Sequence, residues 1–192
     1  MKQPPLTVRR WKRVEYERLV DLGAFDEGDA VELIGGQLIV AEPKGSEHAT
    51  AVEMAGDALR SALPRGWTVR AQNPIALDDE SAPEPDLAVV RGSRADYRYA
   101  HPARPALIIE VAESSLRFDR IEKGSLYARA GIVDCWIVNV VDRVVEVYRD
   151  PGADLTAPYG WRYMSLERFR LPSTITPIGV PAAPVPVAAL IP

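Results

Sequence analysis

The chain has 192 residues, of which 47% are hydrophobic and 26% charged, a balance that suits a globular fold with a sizeable core and excludes wholesale disorder. A net charge of −4 excludes a uniformly basic coat for nucleic acid, so any contact with DNA must come from a local positive patch. The single cysteine, Cys135, rules out an internal disulfide framework and a Cys-rich zinc site.

The opening stretch, MKQPPLTVRRW, lacks the apolar core of a signal peptide, so the cytoplasm is the expected compartment. Residues 8–20 read as a first helix with Trp11, Val14 and Leu19 near one side. Asp26, Gly28 and Asp29 mark a loop. Two apolar runs, Val31–Ile34 and Gln37–Val40, flank Gly35-Gly36 and predict a β-hairpin whose turn needs positive φ. Pro43, Lys44 and Gly45 break the chain, and Ser46 is the expected N-cap of a helix reaching residue 63. Its apolar positions recur at three and four residues (Ala51, Met54, Ala55, Ala58, Leu59, Ala62), which gives one buried face. Strands are expected at 67–77, 85–90 and 106–112, then a helix over 116–130 ended by Gly131. Two further strands, 135–141 and 144–149, flank Asp142-Arg143 as a hairpin. The most apolar stretch, 177–192, is broken by Pro181, Pro184 and Pro186, which excludes a membrane-spanning helix. Residues 1–171 are therefore read as one domain. A Pro-rich tail, 172–192, is expected to lie over the surface or a partner, since proline donates no ladder hydrogen bond. Strands clustered in sequence favour an α+β or mixed-sheet fold over an alternating Rossmann pattern.

The chemistry concentrates in three places. Glu110 interrupts the near-continuous apolar run 106–112, which reads as a strand covered on both faces. A carboxylate there needs a cation, a metal or donors. Asp86 stands at the mouth of the next apolar strand, behind Pro85, which holds Glu84 extended. Adjacent strands lie about 4.8 Å apart, so the two acids at matching heights would share a divalent ion. Four of the 23 basic residues are lysines, and Lys123 falls on the inward side of its helix with Asp119, Leu126, Tyr127 and Ala130. Two acids and a lysine on one sheet edge suit metal-dependent phosphodiester hydrolysis, although a structural ion pair or a Lys123–Asp119 pair would also satisfy these charges. Tyr127 either orients the lysine or packs. His48, at a helix start, and Glu32 belong to the site's rim. Arg91, Arg94, Arg98 and Arg104, interleaved with Tyr97, Tyr99 and His101, lie in the segment joining the two acid-bearing strands. They form a candidate nucleic-acid contact flanking the site, or else a solvated connector. No P-loop, G-x-G-x-x-G or G-x-S-x-G motif occurs, and Cys135 reads as core.

Several ordered segments together resemble the Uma-two family of the PD-(D/E)XK nuclease superfamily. They are Pro85-Asp86-Leu87-Ala88-Val89-Val90, Ile108-Ile109-Glu110-Val111, and Asp119-Arg120-x-Glu122-Lys123-x-x-x-Tyr127-Ala128-x-Ala130-Gly131-Ile132-x-x-x-Trp136-Ile137-Val138. Glu32-Leu33-Ile34-x-Gly36-x-Leu38 and the Glu47-His48 helix start match the family's N-terminal half, so the resemblance spans 31–149. It implies a nuclease-like α/β (α+β) domain with a mixed β-sheet flanked by helices, a site using Mg²⁺ or Mn²⁺, DNA as substrate and a homodimer. Asp86 and Glu110 match the family's metal-binding acids, and Lys123 its catalytic lysine. One departure from the wider superfamily is Ala112, two residues after Glu110, where a lysine would stand; the lysine is expected to have migrated to the following helix. Two other readings accompany the endonuclease. One is an inactive nuclease-fold protein that binds nucleic acid or serves as a homodimeric interaction module. The other is a structural homodimer whose tail wraps a neighbour.

Overall fold

A computed structural model describes residues 7–26, 29–40 and 44–192. Gly28 and Pro43, expected in loops, lie outside the described residues.

Helix α1 (Arg13–Asp21) begins later than its apolar pattern predicts. The Trp11 N–H is bonded to the Gly36 carbonyl at 2.9 Å, and the Glu15 carboxylate accepts the Lys12 N–H at 3.0 Å, which fixes the helix start there. Its buried residue is Tyr16, whose hydroxyl donates to the Val31 carbonyl at 2.7 Å, whereas Val14 is exposed. The hairpin of β1 (Val31–Ile34) and β2 (Gln37–Val40) forms as expected. Gly35 and Gly36 sit at φ +54° and +79°, the left-handed pair that a two-residue hairpin turn demands. Helix α2 (Ser46–Ala62) buries Ala51, Ala55 and Leu59 as the periodicity predicts, but Gly45 is its N-cap and Ser46 its first helical residue.

The centre is a six-stranded sheet in the order β3 (Trp67–Ala71), β4 (Leu87–Arg91), β5 (Leu107–Ala112), β6 (Asp134–Asn139), β7 (Val144–Ala153) and β8 (Trp161–Phe169). All neighbours are antiparallel except β5 and β6, which run parallel because a helical crossover joins them. That crossover is α3 (Leu116–Phe118), a π-helical turn (Asp119–Lys123) and α4 (Gly124–Arg129) in succession, where the sequence predicts one uniform helix. Side chains alternate between the two faces of the sheet. Leu87, Val89, Leu107, Ile109, Val111 and Trp136 pack with α2, while Ala88, Val90, Ile108 and Cys135 pack with Tyr127 and Ala128 of α4. Strand β5, covered on both faces, is buried throughout.

Two differences from the sequence pattern have physical causes. Strand β8 is not expected from the sequence: as an edge strand it exposes six of its nine residues, and the Pro151-Gly152 pair hides the continuity of β7. Beyond Arg149, β7 pairs with β8 alone, which tolerates Pro151. The Pro-rich tail packs over the surface of its own chain. Strands β9 (Thr174–Ile175) and β10 (Val185–Pro186) pair, and Ile175, Val185, Val187 and Leu190 join the α2 side of the core. The Ala183 N–H reaches the Ala62 carbonyl at 3.0 Å, and Gly179 lies so close to the Ala106 carbonyl that any Cβ would collide with it. Prolines remove donors that would need ladder partners, and the Val, Ile and Leu residues between them still gain by burial.

Arg120 of the π turn reaches across to β7. It grips buried Glu146 of β7 through Nε and Nη2 at 2.8 and 2.6 Å, with Arg168 at 3.1 Å and the Tyr148 hydroxyl at 2.7 Å. Burial works against the Glu146 charge, but these donors outweigh it and hold the carboxyl down at about 2. A depressed carboxyl stabilises the fold above its unfolded value and loses that contribution as pH falls through its folded value. Unfolding free energy is thus expected to fall as pH drops from about 4.5 toward 2, with a shallower slope in Glu146→Gln, as measured by denaturant titration at each pH. Leu190→Ala is expected to cost ~2–5 kcal/mol in the same assay, as for a core leucine; a loss near zero would mean the tail does not pack on α2.

Candidate active site

The β4–β5 register pairs Leu87 with Ile109, and one more residue sets Asp86 opposite Glu110. The two acids meet where sequence spacing puts them: the Asp86 N–H donates to Glu110 Oε2 at 3.4 Å. Asp86 Oδ2 accepts the Val111 N–H at 2.8 Å and lies 3.2 Å from His48 Nε2. Asp86 Oδ1 is 2.6 Å from Lys44 Nζ. Glu110 Oε1 accepts the Tyr127 hydroxyl at 2.6 Å and lies 3.3 Å from Lys123 Nζ. From its other side Lys123 Nζ meets Glu32 of β1 at 3.1 Å. Glu32 in turn accepts the Glu84 N–H at 3.1 Å. Glu32, His48 and Tyr127 therefore touch the central groups directly rather than forming a rim.

The π turn explains how a helical lysine reaches the sheet. Asp119 and Lys123 bound that turn and are both buried, and a wider turn changes which side chains share a face. Asp119 is bonded to the Ser115 hydroxyl, not to Lys123. Lys123 is thus not an exposed lysine paired along its own helix; it bridges two carboxylates from other elements.

The charges balance unevenly. Glu32, Asp86, Glu110, Glu113 and Asp119 line a cavity of about 290 Å³ against only two ammonium groups, Lys44 and Lys123. Burial pushes Glu110 well above the usual carboxylate range, and the neighbouring acids add to that against the pull of Lys123. Glu84 is pushed up to about 7 by burial and by Glu32 beside it. Burial also opposes the Asp86 charge, but the His48 hydrogen bond and the Lys44 ammonium outweigh it and hold Asp86 well below its ordinary value. Burial disfavours the Lys123 ammonium too, yet Glu110 and Glu32 raise its pKa and keep it protonated.

Such a cavity suits a hard cation. Among the described residues no group of three or more His, Cys, Asp or Glu side chains is placed to hold a metal ion. Mg²⁺ and Mn²⁺ need no such group: they favour oxygen ligands, and Mg²⁺ binds through one or two carboxylates and keeps several waters. Asp86 and Glu110 would be those carboxylates, and the surplus of carboxyl groups over ammonium groups suits a divalent ion.

The arginine segment does not flank this cavity. The antiparallel β4–β5 pair puts its connection at the end opposite Asp86 and Glu110, so exposed Arg91 lies roughly a strand's length, ~17 Å, from Asp86, and none of Arg91, Arg94, Arg98 and Arg104 lines the cavity. Arg91 stacks over Trp67 at 5.8 Å and Arg98 over Tyr99 at 5.3 Å. Sequence spacing missed Lys44, which reads as an ordinary loop residue. The scarcity of lysine that singles out Lys123 applies to it equally.

Replacing Lys123 by Met leaves Glu32 and Glu110 buried without their counter-charge and is expected to cost ~3–5 kcal/mol in urea denaturation at neutral pH. Adding Glu32→Gln should return part of that loss, whereas strictly additive losses would show the two groups to be uncoupled.

No helix among the described residues is long and apolar enough to cross a membrane. Comparison with curated proteins finds no match. The fold is shared with a solved protein from Anabaena variabilis ATCC 29413, described as "a putative nuclease belonging to DUF820". The two chains are 18% identical and superpose with a TM-score of 0.64 over 90% of this chain and 96% of the other. The family model Uma2, described as "Putative restriction endonuclease", matches residues 13–175. With most of its length matched, and with the mixed sheet and acid–lysine cluster just described, the chain belongs to the Uma2 family.

Proposed function

We propose that the protein is a Mg²⁺- or Mn²⁺-dependent endonuclease that hydrolyses DNA phosphodiester bonds, with Asp86 and Glu110 as metal ligands and Lys123 as the catalytic cation. Family and fold point to a restriction-endonuclease-like nuclease. The observation that carries the finer reading is the meeting of three segments at one cavity, with Lys123 Nζ 3.3 Å from Glu110 Oε1 and the Asp86 amide 3.4 Å from Glu110 Oε2.

A bound divalent ion would polarise the phosphate and lower the pKa of a coordinated water. The chain's own residues prepare that step. Tyr127 and Lys123 hold Glu110 by Oε1, and His48 and the Val111 amide hold Asp86 by Oδ2. Kept protonated by the acids around it, Lys123 cannot act as a base. It donates hydrogen bonds that orient the attacking water and offset the charge growing on the phosphate oxygens. Glu32 fixes the lysine head from the far side. In this reading the exposed arginines contact backbone phosphates beyond the cavity, and a cytoplasmic homodimer brings two such cavities to the two strands of a duplex.

One contact favours the alternative of an inactive nucleic-acid-binding or dimeric module: Lys44 already occupies Asp86 Oδ1 at 2.6 Å. Activity separates the two readings. Purified protein is expected to nick plasmid DNA with Mg²⁺, to stop on chelation, and to lose about 100-fold or more of its rate in Asp86→Ala, Glu110→Ala and Lys123→Ala. Equal nicking by wild type and Asp86→Ala would assign the cleavage to a contaminant and leave the binding module.

A further inference from the structure

The two ammonium groups in the cavity are held very differently. Lys123 is buried, with a side chain only 7% exposed, and is shared between Glu32 and Glu110. The Lys44 side chain is 35% exposed at the cavity mouth and meets one carboxylate, Asp86, at 2.6 Å. Lys44 directly precedes Gly45, the N-cap of α2, so its stem is not fixed by helical packing. When Lys44 departs, Asp86 keeps its place: the Val111 amide and His48 hold Oδ2, and Gln72 Nε2 lies 3.4 Å from Oδ1. The departing ammonium has a second anion close by. Glu113 is exposed, lines the same cavity, and brings Oε2 within 2.9 Å of the point where a Cβ on Gly45 would stand.

We propose that Lys44 is a tethered stand-in for the divalent ion, which neutralises Asp86 Oδ1 while no metal is bound, must leave that oxygen when metal arrives, and thereby sets the metal affinity of the cavity. The inference rests on the reading of Asp86 as a metal ligand. A lysine suits the task, because its compact charge sits on a flexible four-carbon stem, whereas an arginine fork would lock onto the carboxylate through two parallel bonds. Competition of this kind lowers the apparent affinity for the ion by the fraction of molecules in which Oδ1 is free.

Calorimetric titration of the metal-free full-length chain with Mn²⁺ alone tests the inference, comparing wild type, Lys44→Met, Lys44→Arg and Asp86→Asn. Lys44→Met is expected to bind Mn²⁺ about five- to tenfold more tightly than wild type. Lys44→Arg should bind no more tightly than wild type. In thermal melts Lys44→Met should unfold at a lower temperature without metal and gain more from Mn²⁺ than wild type does. Those melts also establish that the variant folds. Equal or weaker Mn²⁺ binding by folded Lys44→Met, with wild type binding normally, overturns the stand-in role and leaves the metal site standing. Failure of both wild type and Lys44→Met to bind, or binding that survives Asp86→Asn, overturns the metal reading itself.

Discussion

The Lys123 ammonium between Glu32 and Glu110 is the constraint on which the rest of the site depends. Each of the three groups comes from a different part of the chain, the β1 hairpin, the central strand β5 and the π turn, and each is buried. An unpaired charge at any of these places would cost several kcal/mol to bury, so the three elements must dock together or not at all. The same pairing sets the chemistry. It keeps Lys123 cationic, points its head at Glu110, and leaves the pocket with more carboxylates than cations.

Each acid is then placed by elementary geometry. Antiparallel pairing of β4 and β5 brings Asp86 and Glu110 together and carries the arginine-rich connection to the far end of the same strands. Groups that sequence proximity joins, the two acids and the arginines, are thus placed at opposite ends of the same strands. The tail contributes at a distance. By covering the sheet face that α2 leaves open, Val187 and Leu190 complete the core against which β5 is held.

Much of this was legible in the residues. Alternation and glycine placement located the hairpin, α2 and the core strands. Glu110 and Asp86 stood out because a carboxylate in an apolar strand needs a partner. What failed to show has local causes. The π turn has no sequence signature in Asp119–Lys123, so the partners of Lys123 could not be derived from helical spacing. Edge strand β8 is mostly exposed and carries a weak pattern. Lys44 looks like a loop residue because its significance lies in a contact 42 positions away along the chain. The tail's prolines signal irregular backbone truthfully, but the apolar residues between them decide where it packs.

An endonuclease site at this cavity requires one event above all: a divalent ion seated between Asp86 and Glu110. Anomalous diffraction from a crystal soaked in Mn²⁺ observes it directly. The account predicts a single strong peak within bonding distance of both carboxylates, with Lys44 Nζ displaced from Asp86 Oδ1 and Lys123 still on Glu32. Absence of a peak at full soaking, or a peak elsewhere with the Lys44–Asp86 pair intact, would contradict it.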